Sequence, residues 1–222
     1  MSLFIKICGL STPETVRIAA AEGADCIGLV FFPPSPRNVD LDLAVELAAA
    51  ARQTPAVAVA ALTVDPDDTM IASIVDRVRP EMIQLHGRES PDRVGEIRQI
   101  FGLPVMKAVG IRARQDLDAV DEFAAAADRV LLDAKPPRNA DRPGGNGEAF
   151  DWSLLRGLDL DRRFVLSGGL APDNVAAAIR ETGLSGVDVS SGVECAPGVK
   201  DADRIGAFIR NARQQEREGN CS

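Results

Sequence analysis

The chain has 222 residues, of which 45% are apolar, 26% are charged and 4% are aromatic, and its formal net charge at pH 7 is −8. This length and composition suit one globular domain with a substantial core. The acidic balance argues against nucleic acid or an anionic membrane as the main partner. No apolar run reaches the roughly 18 residues of a spanning helix, and the N-terminus shows no signal-peptide pattern.

The four cysteines, Cys8, Cys26, Cys195 and Cys221, show no CxxC pair and no metal-ligand spacing. Without a secretion signal, this pattern predicts reduced thiols in a cytoplasmic protein.

Short apolar runs alternate with segments of helical period along the whole chain. The runs show little polar alternation, which is typical of strands buried on both faces. They span residues 4–8, 26–31, 56–64, 82–86, 105–109, 129–133, 164–167 and 186–190. The predicted helices span residues 13–22, 41–53, 67–78, 91–101, 115–127, 172–182 and 201–217, with a loop and a short helix near 152–157 between the sixth and seventh strands.

Eight successive βα units in a chain of this length predict a single α/β domain over residues 1–222, a (β/α)8 or TIM barrel. An open doubly wound sheet is the alternative architecture. Residues 214–222 are polar and are expected to form a frayed tail.

Glycines and serines follow the last predicted strands, at the end where such barrels carry their active sites. Gly168 and Gly169 end strand seven, and Ser190, Ser191 and Gly192 end strand eight. Glycine lets the backbone approach an anion closely, and free N–H groups favour negative charge. These residues therefore predict a phosphate site, although glycines at these places are also consistent with tight turns.

A third glycine cluster, residues 144–147, follows strand six and is predicted to close over the same phosphate through Gly145 and Gly147.

Cys8 and Asp133 end strands one and six, which lie across the mouth of a barrel from each other. A thiol and a carboxyl group suit paired proton abstraction and donation, provided that a thiolate can form and the carboxyl group holds a proton. Lys6 precedes Cys8 by two residues and points to the same side of the strand, where its ammonium favours a thiolate. Cys8 is also consistent with a small buried apolar residue, and Asp133 with a helix cap.

Three further polar residues belong to the same end of the barrel: Arg37 follows strand two, His86 ends strand four and Lys107 lies on strand five. Arg37 ends a stiff proline-rich loop, and its planar guanidinium is suited to bind a carboxylate. The alternative is an arginine exposed at the surface. His86, the single histidine, suits a polar place in the pocket better than a metal site. Lys107 suits either a Schiff base or a pair with a carboxylate.

In this order, the motifs at the strand ends resemble the phosphoribosylanthranilate isomerase family of tryptophan biosynthesis from end to end. They are Lys6-Ile7-Cys8-Gly9, Gly28-Leu29-Val30-Phe31, Ser35-Pro36-Arg37, Gln84-Leu85-His86-Gly87, Leu131-Leu132-Asp133, Gly144-Gly145-Asn146-Gly147, Phe150-Asp151-Trp152, Ser167-Gly168-Gly169-Leu170 with Asn174, Asp188-Val189-Ser190-Ser191-Gly192-Val193-Glu194 and Pro197-Gly198-Val199-Lys200-Asp201.

The resemblance implies an Amadori rearrangement of a small phosphorylated aminoaldose, without metal or cofactor. It implies that Asp133 is the general acid, Cys8 the general base and Arg37 the group that holds the anthranilate carboxylate. Lys6 and His86 are predicted to complete the substrate site. The protein is expected to act as a monomer or homodimer.

One stretch departs from the family. Strand three ends Ala61-Leu62-Thr63-Val64, where the family usually carries a Val-Phe-Val-Asn type of ending. The contribution of this strand to the pocket is therefore open.

Two other kinds of function stay open. The first is another phosphate-binding barrel enzyme: a histidine-pathway aminoaldose isomerase, a ribulose-phosphate epimerase or a lyase that uses Lys107. The second is a non-catalytic barrel that binds a phosphorylated ligand. Cys8 counts against the histidine-pathway isomerase, which is expected to carry carboxylates at both reacting positions.

Overall fold

The structure, a computed structural model, describes residues 3–54, 57–135, 150–156 and 163–219. Eight parallel strands form a closed barrel in which each strand pairs with its neighbours in chain order and the eighth pairs with the first. The strands are β1 (Phe4–Cys8), β2 (Cys26–Phe31), β3 (Ala58–Thr63), β4 (Met82–Leu85), β5 (Val105–Ile111), β6 (Arg129–Ala134), β7 (Phe164–Leu166) and β8 (Gly186–Val189). The closed order confirms the predicted (β/α)8 barrel and excludes the open sheet.

The helices cover the outside of the barrel. They are α1 (Pro13–Ala21), α2 (Leu41–Ala51), α3 (Asp68–Val78), α4 (Pro91–Phe101), α5 (Val120–Ala126), α6 (Val175–Thr182) and α7 (Ala202–Gly219). Local chemistry sets their ends: before α4, the Ser90 hydroxyl accepts from the Arg93 N–H, and after it Gly102 adopts φ +64° and donates to the Arg98 carbonyl. None of the described helices is long and apolar enough to cross a membrane.

Apolar side chains fill the lower barrel and the space between strands and helices. The inner layer consists of Cys26, Ala60, Met82, Met106, Ala108, Leu131 and Val165. Alternate residues of each strand face outward and pack against the helices. Polar side chains are thereby left to the upper, carboxyl end of the barrel, where the site is built.

Two predicted helices begin later than expected because a side chain binds the backbone first. Asn174 accepts from the Ala171 N–H and donates to the Gly169 carbonyl, so α6 starts at Val175 rather than at residue 172. Asp116 accepts from two preceding N–H groups, and a 3₁₀ turn (Arg114–Ala119) replaces the first part of the predicted helix 115–127.

The C-terminal region also differs from its prediction. Helix α7 continues to Gly219, so residues 214–219 belong to it instead of forming a frayed tail. Gln215 is buried there and accepts a 2.7 Å hydrogen bond from Arg180 of α6. Residues 220–222 lie outside the described residues. An unpredicted hairpin of β9 (Glu194–Ala196) and β10 (Val199–Lys200) precedes α7.

Candidate active site

A buried ion pair crosses the floor of the mouth. Lys6 on β1 is fully buried, and its Nζ lies 2.8 Å from Oδ1 of Asp188 on β8. The Ser167 hydroxyl lies 3.2 Å from the other oxygen of Asp188. Burial is the largest single influence and lowers the pKa of Lys6. The charge and hydrogen bond of Asp188, together with the neighbouring thiols of Cys8 and Cys26, outweigh it and leave that pKa above its ordinary value. Lys6 is therefore a fixed positive charge.

Cys8 lies above this pair, buried beside Val30 and Leu62. Burial raises the pKa of the Cys8 thiol, and the Lys6 charge offsets only part of that rise. Lys6 therefore lowers the pKa of Cys8, in the direction that the sequence predicts. Its effect is smaller than that of burial, so in the free protein the pKa of the thiol stays above its ordinary value. Leu62 is also the contribution of β3 to this end of the barrel.

Gly28 on β2 provides the room for the thiol and the ammonium. A Cβ at this position would lie 2.8 Å from Cys8 Sγ and 3.1 Å from Lys6 Nζ. Both distances are shorter than ordinary contacts, so a side chain here would displace one group or the other. This glycine belongs to a quoted sequence motif, yet its role depends on the neighbouring strand.

His86 joins Asp133 to β4. Its Nε2 lies 3.2 Å from Oδ2 of Asp133, and its Nδ1 lies 3.2 Å from Nε2 of Gln84. The other oxygen of Asp133 accepts a 2.9 Å hydrogen bond from the Ala134 N–H. The structure thus brings the predicted acid together with the single histidine. Within the described residues, no three His, Cys, Asp or Glu side chains group closely enough to hold a metal ion.

The loops after β7 and β8 approach each other closely. Gly168 and Gly169 both adopt positive φ (+81° and +64°), and a Cβ on Gly192 would lie 1.8 Å from the Leu170 carbonyl oxygen. In the described part of the chain, the N–H groups of Gly169, Ser191 and Gly192 donate to no acceptor. They are available for an anion. Gly145 and Gly147, predicted to close over it, lie outside the described residues.

Arg37 is buried, not exposed to solvent, and binds a residue that the sequence did not single out. Its Nε lies 2.6 Å from Oε1 of Glu194, and its Nη2 lies 2.9 Å from Oε2. Lys200 Nζ lies 2.8 Å from the same carboxylate and donates to the Ser190 carbonyl at 2.8 Å. Glu194 and Lys200 lie in quoted motifs but carried no predicted role, because their partners are distant in sequence.

Burial and charge balance differently for the pKa values of Glu194 and Lys200. Burial raises the pKa of Glu194, but the hydrogen bonds from Arg37 and the charge of Lys200 outweigh it, so the pKa lies below its ordinary value. For Lys200, burial is the larger influence, and its pKa is lowered despite the Glu194 charge.

Lys107 faces away from the mouth. Met106 and Ala108 point into the barrel, so Lys107 points outward, where its Nζ lies 2.8 Å from Glu89 Oε2 and from the Gly87 carbonyl. It also lies over the Phe123 ring, 5.5 Å from the centroid. The lysine is therefore the paired alternative of the sequence prediction, outside the site and unsuited to a Schiff base with a ligand there.

The fold and the site define a class: a (β/α)8-barrel protein with a thiol and a histidine–carboxylate pair at opposite sides of its mouth and free amides on its last two loops. A family model described as N-(5'phosphoribosyl)anthranilate (PRA) isomerase matches residues 5–211. The chain belongs to this family, and it is an enzyme.

Several relatives and solved structures carry the name of this family. An N-(5'-phosphoribosyl)anthranilate isomerase of Rhodopseudomonas palustris (strain BisA53) is 59% identical over 98% of this chain and 99% of its own length. A phosphoribosyl anthranilate isomerase structure from Thermotoga maritima superposes with a TM-score of 0.84 at 35% identity, covering 96% of this chain and 99% of that one. A structure in complex with reduced 1-(o-carboxyphenylamino)-1-deoxyribulose 5-phosphate has a TM-score of 0.81 at 33% identity over the same shares.

Proposed function

We propose that the chain converts N-(5'-phosphoribosyl)anthranilate into 1-(2-carboxyphenylamino)-1-deoxyribulose 5-phosphate by general acid and base catalysis, without metal or cofactor. The observation that carries the mechanism is the placement of Cys8 and Asp133 at the carboxyl ends of β1 and β6, across one mouth. A neighbour's complex with a reduced form of this ketose phosphate supports the substrate class.

In the first step, Asp133 gives a proton to the ring oxygen of the ribose. The bond between C1 and that oxygen breaks, its electron pair goes to the oxygen, and C1 becomes part of a cationic Schiff base. Asp133 suits this step because it is buried at the mouth, and because His86, at 3.2 Å, ties it to a second proton-carrying group.

In the second step, Cys8 removes the proton from C2. The electron pair of the C2–H bond forms a C1=C2 double bond, and the nitrogen regains its lone pair as an enolamine. Tautomerisation then places a proton on C1 and a ketone at C2, so the reaction is an isomerisation that balances without a co-reactant. Lys6 stabilises the thiolate that forms, and the cationic Schiff base adds positive charge that the free protein lacks.

The rest of the site is proposed to hold the two ends of the substrate. The amides of Gly169, Ser191 and Gly192, together with the close turn at Gly168 and the Ser190 hydroxyl, are the proposed phosphate cradle.

Arg37 is the proposed partner of the anthranilate carboxylate. A guanidinium carries five N–H donors in one plane, and Glu194 fixes that plane through two of its nitrogens.

Anthranilate fluorescence during turnover tests the proposal. The substrate is generated in situ, and protein freed of metal by chelation is added. We expect metal-independent loss of substrate fluorescence, which Cys8→Ala and Asp133→Asn each abolish while the fold is kept. Cys26→Ala is the matched control, since this buried cysteine lies in the lower barrel. Turnover by Cys8→Ala or Asp133→Asn would overturn the role of that residue, and inactive, folded wild-type protein would overturn the function.

The role of Arg37 has its own test. Arg37→Ala is expected to raise KM for this substrate more than it lowers kcat, because the lost contact holds a carboxylate away from the reacting carbons. An unchanged KM would contradict the assignment.

A further inference from the structure

Gln84 holds a buried polar atom without a partner, next to the proposed acid. The residue lies on β4 inside the barrel and is fully buried. Its Nε2 lies 3.2 Å from Nδ1 of His86, while its Oε1 has no hydrogen-bond partner among the described residues. A buried carbonyl oxygen left unsatisfied is costly, so its presence calls for a physical reason.

The three side chains form a row from Gln84 through His86 to Asp133. If Gln84 donates to Nδ1, the imidazole carries its proton on Nε2 and donates to Oδ2 of Asp133. Oδ1 of Asp133 already accepts from the Ala134 N–H. Both oxygens then accept a hydrogen bond, an arrangement suited to a carboxylate with no proton to give.

Adding one proton to this row changes what Gln84 must do. If the proton settles on Asp133, Nε2 becomes the acceptor and the imidazole proton moves to Nδ1. If it settles on the ring, both nitrogens carry protons. In either loaded form Nδ1–H needs an acceptor. A half-turn of the Gln84 amide exchanges Nε2 for Oε1 and supplies one.

We propose that Gln84 is a positioning residue that offers His86 a donor when the His86–Asp133 pair lacks the catalytic proton and an acceptor when the pair holds it. The orphaned Oε1 is the acceptor held in reserve. This proposal rests on the proposed role of Asp133 as the acid. It makes Gln84 a determinant of the pH at which the His86–Asp133 pair takes up its proton. Gln84 acts through the imidazole ring and not by contact with the substrate.

The charged groups on the elements packed around the row already have partners of their own. Asp65, after β3, accepts from the Arg88 N–H, and Glu89, after β4, pairs with Lys107 of β5. Lys135, after β6, pairs with Asp116, after β5. Lys6 of β1 pairs with Asp188 of β8. These contacts leave the His86–Asp133 pair as the group that we propose takes up the catalytic proton.

His86 is the only histidine in the chain, so its ring can be followed by NMR without assignment. Protein labelled with ¹⁵N-histidine is titrated in the absence of substrate. We expect the Nε2–H tautomer at high pH and a proton on Nδ1 as the pair loads. Gln84→Met cannot donate and accepts only weakly, so it removes the hydrogen bond of both forms. The loss is larger for the form that holds the proton, because a protonated ring makes the stronger, charge-assisted bond, and the titration midpoint therefore falls.

Gln84→Glu supplies a permanent acceptor for Nδ1–H and is the matched variant. It is expected to raise the midpoint and to favour the Nδ1–H tautomer across the range. The basic limb of the kcat–pH profile should move in the same direction in each variant, because the acid must hold its proton. If the role of Gln84 were purely structural, both variants would lose activity, but their titration midpoints would not move in opposite directions.

Two results would overturn the proposal: an Nδ1–H tautomer in wild-type protein at high pH, or a midpoint that is the same in both variants and in wild type. If Gln84→Met fails to fold, the wild-type tautomer and Gln84→Glu still decide it. The titration uses no substrate, so failure of the proposed function appears separately, as the expected NMR behaviour in a protein that does not turn over.

Discussion

Arg37 and Glu194 lie 157 positions apart in the chain and form a buried ion pair through two hydrogen bonds, of 2.6 and 2.9 Å. The same carboxylate accepts from Lys200, which also holds the Ser190 carbonyl. The group proposed to bind the substrate carboxylate is thus tied to a loop proposed to bind its phosphate. One hydrogen-bonded unit therefore sets the distance between the two groups that are proposed to bind the ends of the substrate.

Removing the charge of Glu194 should be costly because two buried cations, Arg37 and Lys200, share this carboxylate. We expect Glu194→Gln to lower the free energy of unfolding by about 3–5 kcal/mol, measured by urea denaturation. Glu181→Gln is the control, since it breaks an exposed pair with Arg156. That change should cost less than about 1 kcal/mol. Equal effects of the two substitutions would show that the buried cluster contributes no special stability.

The same pair predicts how stability changes in acid. The pKa of Glu194 is lower in the folded protein than its ordinary value of 4.5, so its contribution is present above that pH and is lost as the pH falls through the folded value. The difference in unfolding free energy between wild type and Glu194→Gln should therefore shrink as the pH falls below 4.5. Urea midpoints for both proteins from pH 7 to pH 3 measure it, and a constant difference would contradict the assignment.

The sequence predicted the barrel, and it placed the proposed acid and base at one end of it, because both inferences depend on local pattern. Continuous apolar runs of strand length mark buried parallel strands, and a closed barrel brings every strand end to one face. Cys8 and Asp133 could therefore be placed from their positions alone. The same logic placed His86 at this face.

The partners of those residues could not be predicted because each comes from a distant segment. Asp188 beside Lys6 and Glu194 beside Arg37 require the register between strands and loops. The direction of Lys107 was also hidden, since its strand neighbours Met106 and Ala108 are apolar and so are the outward residues of β5. A strand that is apolar on both faces does not reveal which face is inside.

Reactivity of the cysteines should follow burial. Thiolate is the reactive form, and burial raises the pKa of Cys8 and raises that of Cys26 to about 12, whereas Cys195 is exposed. In a Cys221→Ser background at pH 8, we expect iodoacetamide to label Cys195 first, Cys8 slowly and Cys26 last, as followed by peptide mass spectrometry. In urea the three rates should converge. Labelling of Cys8 as fast as Cys195 in the folded protein would show that its thiolate is already stable without substrate.

The space at Gly28 gives a prediction that links packing to turnover. In Gly28→Ala the new Cβ would lie 2.8 Å from Cys8 Sγ and 3.1 Å from both Lys6 Nζ and the Cys8 Cα, so the thiol must move. We expect a loss of about 1–3 kcal/mol in unfolding free energy. We also expect a fall in kcat with little change in KM, because the phosphate loops on β7 and β8 are untouched. Gly95→Ala is the control: it lies inside α4 with no atom within 4 Å, and alanine there should stabilise the helix by up to about 1 kcal/mol and leave kcat unchanged. If Gly28→Ala kept wild-type kcat, the position of the Cys8 thiol would not limit the reaction, and its proposed role as the base would lose its geometric support.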